Sequence, residues 1–208
     1  MLQFITHRTE HDDEISGTRA VLAGGCRWIQ LRMKEASEEE ILRTGRAIGR
    51  LCREAGATFL LDDHAELVRE LRADGVHLGR NDLPVAEARR LLGPEALIGA
   101  TANTFEEIER AAAQGADYIG LGPFRFTQTK RNLSPVLGID GYRRILARCR
   151  EAGIALPVVA IGGITHADIA PLLETGLAGI ALSGALLRAD DIVRHTREIV
   201  TTINNRKI

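Results

Sequence analysis

Short apolar runs, many of them β-branched, alternate along this chain with longer stretches in which apolar residues return every three or four positions. The short runs predict strands at 3–6, 28–32, 58–62, 75–78, 97–100, 118–122, 157–161 and 179–182. They are continuous rather than alternating, as in strands covered on both faces of a parallel sheet. Between them, 39–55 places Ile41, Thr44, Ile48, Leu51, Cys52 and Ala55 at helical spacing. The same period marks 65–73 (Leu67, Val68, Leu71), 105–114 (Phe105, Ile108, Ala112) and 191–203 (Ile192, Val193, Ile199, Val200, Ile203). Ser37 before Glu38-Glu39-Glu40 reads as an N-cap followed by acids that favour the positive helix start. Gly24, Gly56, Gly93, Gly153 and Gly176 stand where helices end.

Eight strand–helix units fill 208 residues at about 26 residues each. Parallel strands with helical crossovers in that number close into a (β/α)8 TIM barrel, expected here as a single domain over residues 1–208. The competing architecture is an open doubly wound sheet. It would carry a Gly-rich dinucleotide-binding turn after an early strand, and this sequence has none.

Composition narrows the partners. Hydrophobic residues make up 45% and charged residues 26%, with a formal net charge of −1. That balance speaks against a broad nucleic-acid-binding or anionic-membrane surface, so any phosphate must be held by a few placed cations. The N-terminus has no signal-peptide pattern and no apolar run reaches membrane-spanning length. A soluble cytoplasmic protein acting on small molecules is expected, compatible with a homo-oligomer. Cys26, Cys52 and Cys149 are scattered without metal-ligand spacing and read as small buried hydrophobes in a reducing compartment.

In a parallel barrel the working face lies beyond the C-terminal strand ends. There the strands end in Gln30-Leu31-Arg32-Met33-Lys34, Asp62-Asp63-His64, Gly79-Arg80-Asn81-Asp82, Thr101-Ala102-Asn103, the segment GPFRFTQTK, Gly162-Gly163 and Ser183-Gly184. The opposite rim is expected to be mainly Ala and Gly. Asp63 and Asp82 have the chemistry to share a Mg2+, a hard cation that takes one or two carboxylates plus phosphate oxygens. Arg32, Lys34 and Lys130 suit a diphosphate, Arg as a fork and Lys as a point charge. Gly162-Gly163 before a helix start offers bare N–H groups to a second phosphate. The plainer alternatives are that Asp62 or Asp63 caps the helix near Ala65, that Asp82 caps the one at Pro84, and that the Thr-rich stretch is only a loop. His64 and His77 read as structural.

The motifs QLRMK at 30–34, DDH at 62–64, ADGVHLG at 73–79, GRND at 79–82, GADYIGLGPFRFTQTK at 115–130 and AIGGI at 160–164 together resemble the thiamine phosphate synthase family. The resemblance runs from about residue 15 to about residue 188. It implies a Mg2+-dependent transferase in thiamine biosynthesis, joining a hydroxymethylpyrimidine diphosphate to a thiazole phosphate or its carboxylated form. By resemblance, Gln30, Arg32, Lys34 and Lys130 bind the pyrimidine diphosphate, with Leu31 and Met33 in the same segment and Asp62 and Thr101 beside it. Arg32, Lys34 and Lys130 would be catalytic, and Asp63 and Asp82 would be the metal ligands. Thr127, Gln128, Thr129, Gly163, Leu182 and Ser183 would hold the thiazole phosphate. Three positions depart from the family pattern: Asp62 where Asn is usual, Met33 where an acid is common, and Asn103 where His is more usual. The rivals are a thiazole tautomerase of the same superfamily, which generally lacks the two carboxylates and the T-x-T-K loop, and a non-catalytic binder of a thiamine precursor.

Overall fold

The computed structural model describes residues 1–126 and 135–205. Eight strands form the closed parallel barrel that the alternation predicts: β1 (Leu2–Ile5), β2 (Trp28–Leu31), β3 (Thr58–Asp62), β4 (Gly75–Leu78), β5 (Leu97–Ala102), β6 (Tyr118–Leu121), β7 (Val158–Ile161) and β8 (Gly179–Leu182). β8 closes on β1 through the register Gln3 opposite Ala181. The outer layer comprises α1 (Glu14–Ala23), α2 (Glu38–Ala55), α3 (Val68–Leu71), α4 (Val85–Leu92), α5 (Phe105–Ala113), α6 (Gly138–Glu151), α7 (Ile169–Glu174), α8 (Gly184–Leu187) and α9 (Ile192–Asn204).

Strand alternation sorts side chains into two cores. Inside the barrel lie Ile5, Leu60, Tyr118, Val159 and Ala181, with Trp28 and Ile161 against them. Between strands and helices lies the larger cluster, in which Phe4, Ile29, Ile48, Ile98, Ile108 and Ile119 are each 0% exposed. Each such side chain contributes about 1.5–3 kcal/mol by leaving water. Cys26, Cys52 and Cys149 are buried free thiols, as expected. Burial pushes Cys52 up to about 12 and Cys26 to about 11, so neither is a nucleophile at neutral pH.

The Ser37 cap forms as a capping box: Ser37 Oγ accepts from Glu40 N and the Glu40 carboxylate accepts from Ser37 N. Several sequence expectations need correction. β5 runs on to Ala102, because Thr101 and Ala102 still pair with Gly120 and Leu121. The helix expected at 65–73 is a 3-10 turn, Ala65–Leu67, followed by the single-turn α3. Arg72 in the left-handed region stops it after one turn. The rim at the strand starts also carries carboxylates that sequence alone assigned to Ala and Gly turns. Asp74 accepts from Phe59 N at 2.7 Å, and Asp117 accepts from Ile98 N at 2.7 Å while pairing with Arg89 at 2.6 Å. These acids satisfy the N–H groups of the buried strand residues Phe59 and Ile98, a structural task. No helix among the described residues is long and apolar enough to cross a membrane.

Candidate active site

The tips of β2 and β3 bring the predicted residues together. Gln30 points into the barrel and its Nε2 donates to Asp62 Oδ1 at 2.6 Å. Arg32 and Lys34 follow on the same side of the chain, and both close on Asp62: Arg32 Nε lies 3.6 Å and Lys34 Nζ 3.7 Å from Oδ2. Lys34 Nζ also sits 2.6 Å from Asp63 Oδ2. The backbone of Arg32 is fixed from β1, because its N–H donates to Thr6 Oγ1 at 2.9 Å. The extra negative charge of Asp62 is therefore matched by two cations and one amide donor. A buried charge on those terms is tolerable.

Leu31 and Leu182 belong to the outer core by alternation, so each offers only its backbone to the rim. Met33 packs partly buried beside the same cluster.

The capping alternative for the aspartates is not what the fold adopts. The turn at Ala65 and the helix at Val85 have no side-chain cap. Asp63 instead sits at φ +74, a left-handed backbone that costs a non-glycine residue on the order of 1 kcal/mol or more. Its Oδ1 is buried without a hydrogen-bond partner among the described residues. Asp82 folds back so that its Oδ2 accepts from Gly79 N at 2.5 Å. Burial, then the hydrogen bond and negative charge of Asp63, raise the Asp82 carboxyl above its ordinary value. Two carboxylates crowded at adjacent strand tips, one with an unsatisfied buried oxygen, are a donor set that suits a hard divalent cation. For Lys34, burial pulls the ammonium down, but Asp63, Asp62 and Asp82 outweigh it and hold its pKa above the ordinary value.

On the far side of the barrel, Gly162 and Gly163 turn at φ +93 and +68. A Cβ on Gly163 would meet the carbonyl oxygens of Arg125 and Phe126 at 2.8 and 2.9 Å, so the β6 and β7 loops pack backbone to backbone. Arg125 locks that contact. It pairs with both oxygens of Asp168 at 2.8 Å, and its Nη1 donates to Gly163 O at 3.1 Å. The Arg125 hydrogen bond holds the Asp168 carboxyl at about 2, against the opposing effect of burial. Beside this turn, Ser183 Oγ is buried with no partner among the described residues. Thr127, Gln128, Thr129 and Lys130 lie outside the described residues.

Sequence reasoning missed two supports. One is an interior relay in which Gln3 Nε2 donates to Tyr118 OH at 3.1 Å, Tyr118 OH bonds His77 Nδ1 at 2.9 Å, and His77 Nε2 bonds Thr101 Oγ1 at 2.9 Å. It exists because Gly99 lacks a Cβ that would overlap the Tyr118 ring. The other is Asn103, whose Nδ2 donates to Gly122 O and Pro135 O, both at 2.9 Å. Neither partner is near it in sequence, so no local pattern signals the clasp.

Comparisons with known proteins give the family. The family profile described as thiamine monophosphate synthase matches residues 2–186. The chain is 56% identical over 199 residues to the thiamine-phosphate synthase of Bacteroides fragilis, spanning 96% of this chain and 98% of that protein. To the Flavobacterium johnsoniae thiamine-phosphate synthase it is 46% identical over 190 residues, 91% of this chain and 90% of the other. Among solved structures, the thiamine phosphate pyrophosphorylase of Pyrococcus furiosus superposes with a TM-score of 0.86 at 34% identity, covering 98% of this chain and 95% of that one. A 3-hexulose-6-phosphate synthase, at 16% identity and a TM-score of 0.68, shares the fold alone. With the match running through all eight strands, the chain belongs to the thiamine monophosphate synthase family.

Proposed function

We propose that this rim joins 4-amino-2-methyl-5-hydroxymethylpyrimidine diphosphate to 4-methyl-5-(2-hydroxyethyl)thiazole phosphate, or its carboxylated form, giving thiamine phosphate and diphosphate. The observation that carries the reading is the convergence of Gln30, Arg32 and Lys34 on Asp62 and Asp63, with Asp82 beside them. Relatives at 56% identity bear the corresponding name.

Arg32 and Lys34 bind the diphosphate and stabilise it as negative charge builds on the departing group. Lys130, from the segment between the described residues 126 and 135, joins them in this reading. Gln30 and Thr101 border the pyrimidine. The electron-rich aminopyrimidine carries the cation left at its methylene carbon. The phosphate of the thiazole is seated on Gly163, Ser183 and the N–H after Leu182, with Thr127, Gln128 and Thr129 as its further contacts in this reading. Anchored there, the thiazole nitrogen is held for attack on that carbon. No protein nucleophile is required, consistent with cysteines that are buried and protonated. Asp63 and Asp82 would hold a Mg2+ whose charge offsets that of the diphosphate. In this reading the reaction runs in the cytoplasm.

The test is an assay of the purified chain with both substrates and Mg2+, following thiamine phosphate and diphosphate together. Equal yields of the two products support the reading. Isomerisation of a thiazole phosphate carboxylate without coupling would assign the chain to tautomerase chemistry, and retention of both substrates unchanged would make it a binder.

A further inference from the structure

Away from the barrel mouth, three side chains with metal-ligating atoms meet on the outer surface. His195 and Glu198 stand three apart on α9, so they share one helix face. His166 opens the turn after β7, directly following the Thr165 cap. One ligand atom from each of the three lies within 4.8 Å of the others. The two imidazoles meet edge to face, with ring centroids 5.3 Å apart at 75°. Metal–nitrogen bonds of about 2.0–2.1 Å in a tetrahedral site put ligand atoms roughly 3.4 Å apart. His166 and Glu198 are exposed and His195 half-buried, so closing the remaining ångström or so needs only small side-chain rotations. Arg194 Nε holds Glu198 Oε1 at 3.0 Å and leaves the second carboxylate oxygen for a ligand bond.

We infer that His166, His195 and Glu198 form a binding site for a borderline transition-metal ion of the Zn2+ class. Two imidazoles and one carboxylate suit such an ion and do not suit Mg2+, which prefers oxygen ligands. The site is separate in place and chemistry from Asp63 and Asp82. Its role is that of a clip: it fastens α9, which packs on α1, α7 and α8, to the turn that carries Gly162 and Gly163. Arg125 and Asp168 hold the same turn from the β6 side, so the metal secures its other flank.

The experiment uses the full chain without a histidine tag, in excess Mg2+ so that hard carboxylate sites are filled. Zinc is titrated by calorimetry and Co2+ by its visible ligand-field absorption. The expected result is one ion per chain and a rise in Tm of roughly 5–10 °C at hundredfold saturation. His166→Ala and His195→Ala should each weaken binding by more than roughly tenfold, the least that losing even an outer-shell partner commonly costs. Glu198→Gln should weaken it less. All three positions lie at the surface, and a wild-type circular dichroism spectrum checks that the variants fold. No saturable zinc binding in the wild type, or zinc affinity and Tm shift unchanged in the His166→Ala/His195→Ala double variant, would overturn the assignment.

Discussion

Lys34 Nζ lies 2.6 Å from Asp63 Oδ2, across the gap between the β2 and β3 tips. A cation meant for diphosphate and a carboxylate suited to a metal are thus each other's partner before either meets a ligand. Paired, they offset each other's desolvation, and Asp63 holds this place from a left-handed backbone.

Removing the acid of this pair, or Asp82 beside it, should cost activity far more than stability. Asp63→Ala and Asp82→Ala are each expected to lower kcat by roughly 100-fold or more and to raise the Mg2+ concentration for half-maximal rate. Steady-state assays across a Mg2+ series check this. Wild-type rates in both variants would remove the carboxylates from the mechanism.

Asp62→Asn should act in the opposite sense. It keeps an acceptor for Gln30 and deletes one negative charge within 3.6–3.7 Å of Arg32 and Lys34. A charge at that range is worth about 1 kcal/mol when well screened, so KM for the pyrimidine diphosphate should fall about fivefold with kcat nearly unchanged. A higher KM would mean that Asp62 itself orients the substrate.

Asn103→Ala removes the one side-chain amide that joins Gly122 O to Pro135 O. Gly122 is buried and Pro135 exposed, so the loss falls mainly on the Gly122 carbonyl. Leaving it without a donor costs about 1–3 kcal/mol, or roughly 2–4 °C of Tm for each kcal/mol in a chain of this size. Because those carbonyls flank the segment carrying Thr127, Thr129 and Lys130, KM for the thiazole phosphate should rise as well. Thermal melts and substrate titrations separate the two effects. A neutral His at this position would have one N–H to give and should rescue only part of the loss.

Arg125→Ala tests the lock on the β7 turn. KM for the thiazole phosphate should rise several-fold while that for the pyrimidine diphosphate stays put, since Arg125 bonds Gly163 O and Asp168 but none of the β2 or β3 residues. The ion pair also has a pH signature. The Asp168 carboxyl is held at about 2, below its ordinary 3.8. A depressed pKa stabilises the fold above the unfolded value and is lost as pH falls from about 4 through about 2. With Arg125 half exposed, the contribution is on the order of 1 kcal/mol. In chelator-containing buffer, the Tm gap between wild type and Arg125→Ala should therefore narrow below pH 4. A gap independent of pH would show that packing, not charge, holds the turn.

Much of this was legible in the chain. Continuous apolar strands and helical spacing between them dictate parallel crossovers, because neither element can bury its apolar face alone. The polar groups at the C-terminal strand ends then follow from chain direction alone. That is why Gln30, Arg32, Lys34, Asp62, Asp63 and Asp82 could be grouped before any coordinates. Residues further from that rule were not legible. Asn103 reaches Pro135, 32 positions away. Asp168 meets Arg125 across 43 positions, and His166 meets His195 because α9 folds back against the β7 turn.

The sequence by itself determined the periodicity, the number of units and the face on which charge would gather, since each is set by local backbone geometry and burial. Tertiary structure decided which charges pair, where a carboxyl oxygen stays unsatisfied and which glycines must yield space. Those outcomes depend on distances of a few ångströms between segments far apart in the chain, where a shift of one residue in register would exchange the inward and outward faces.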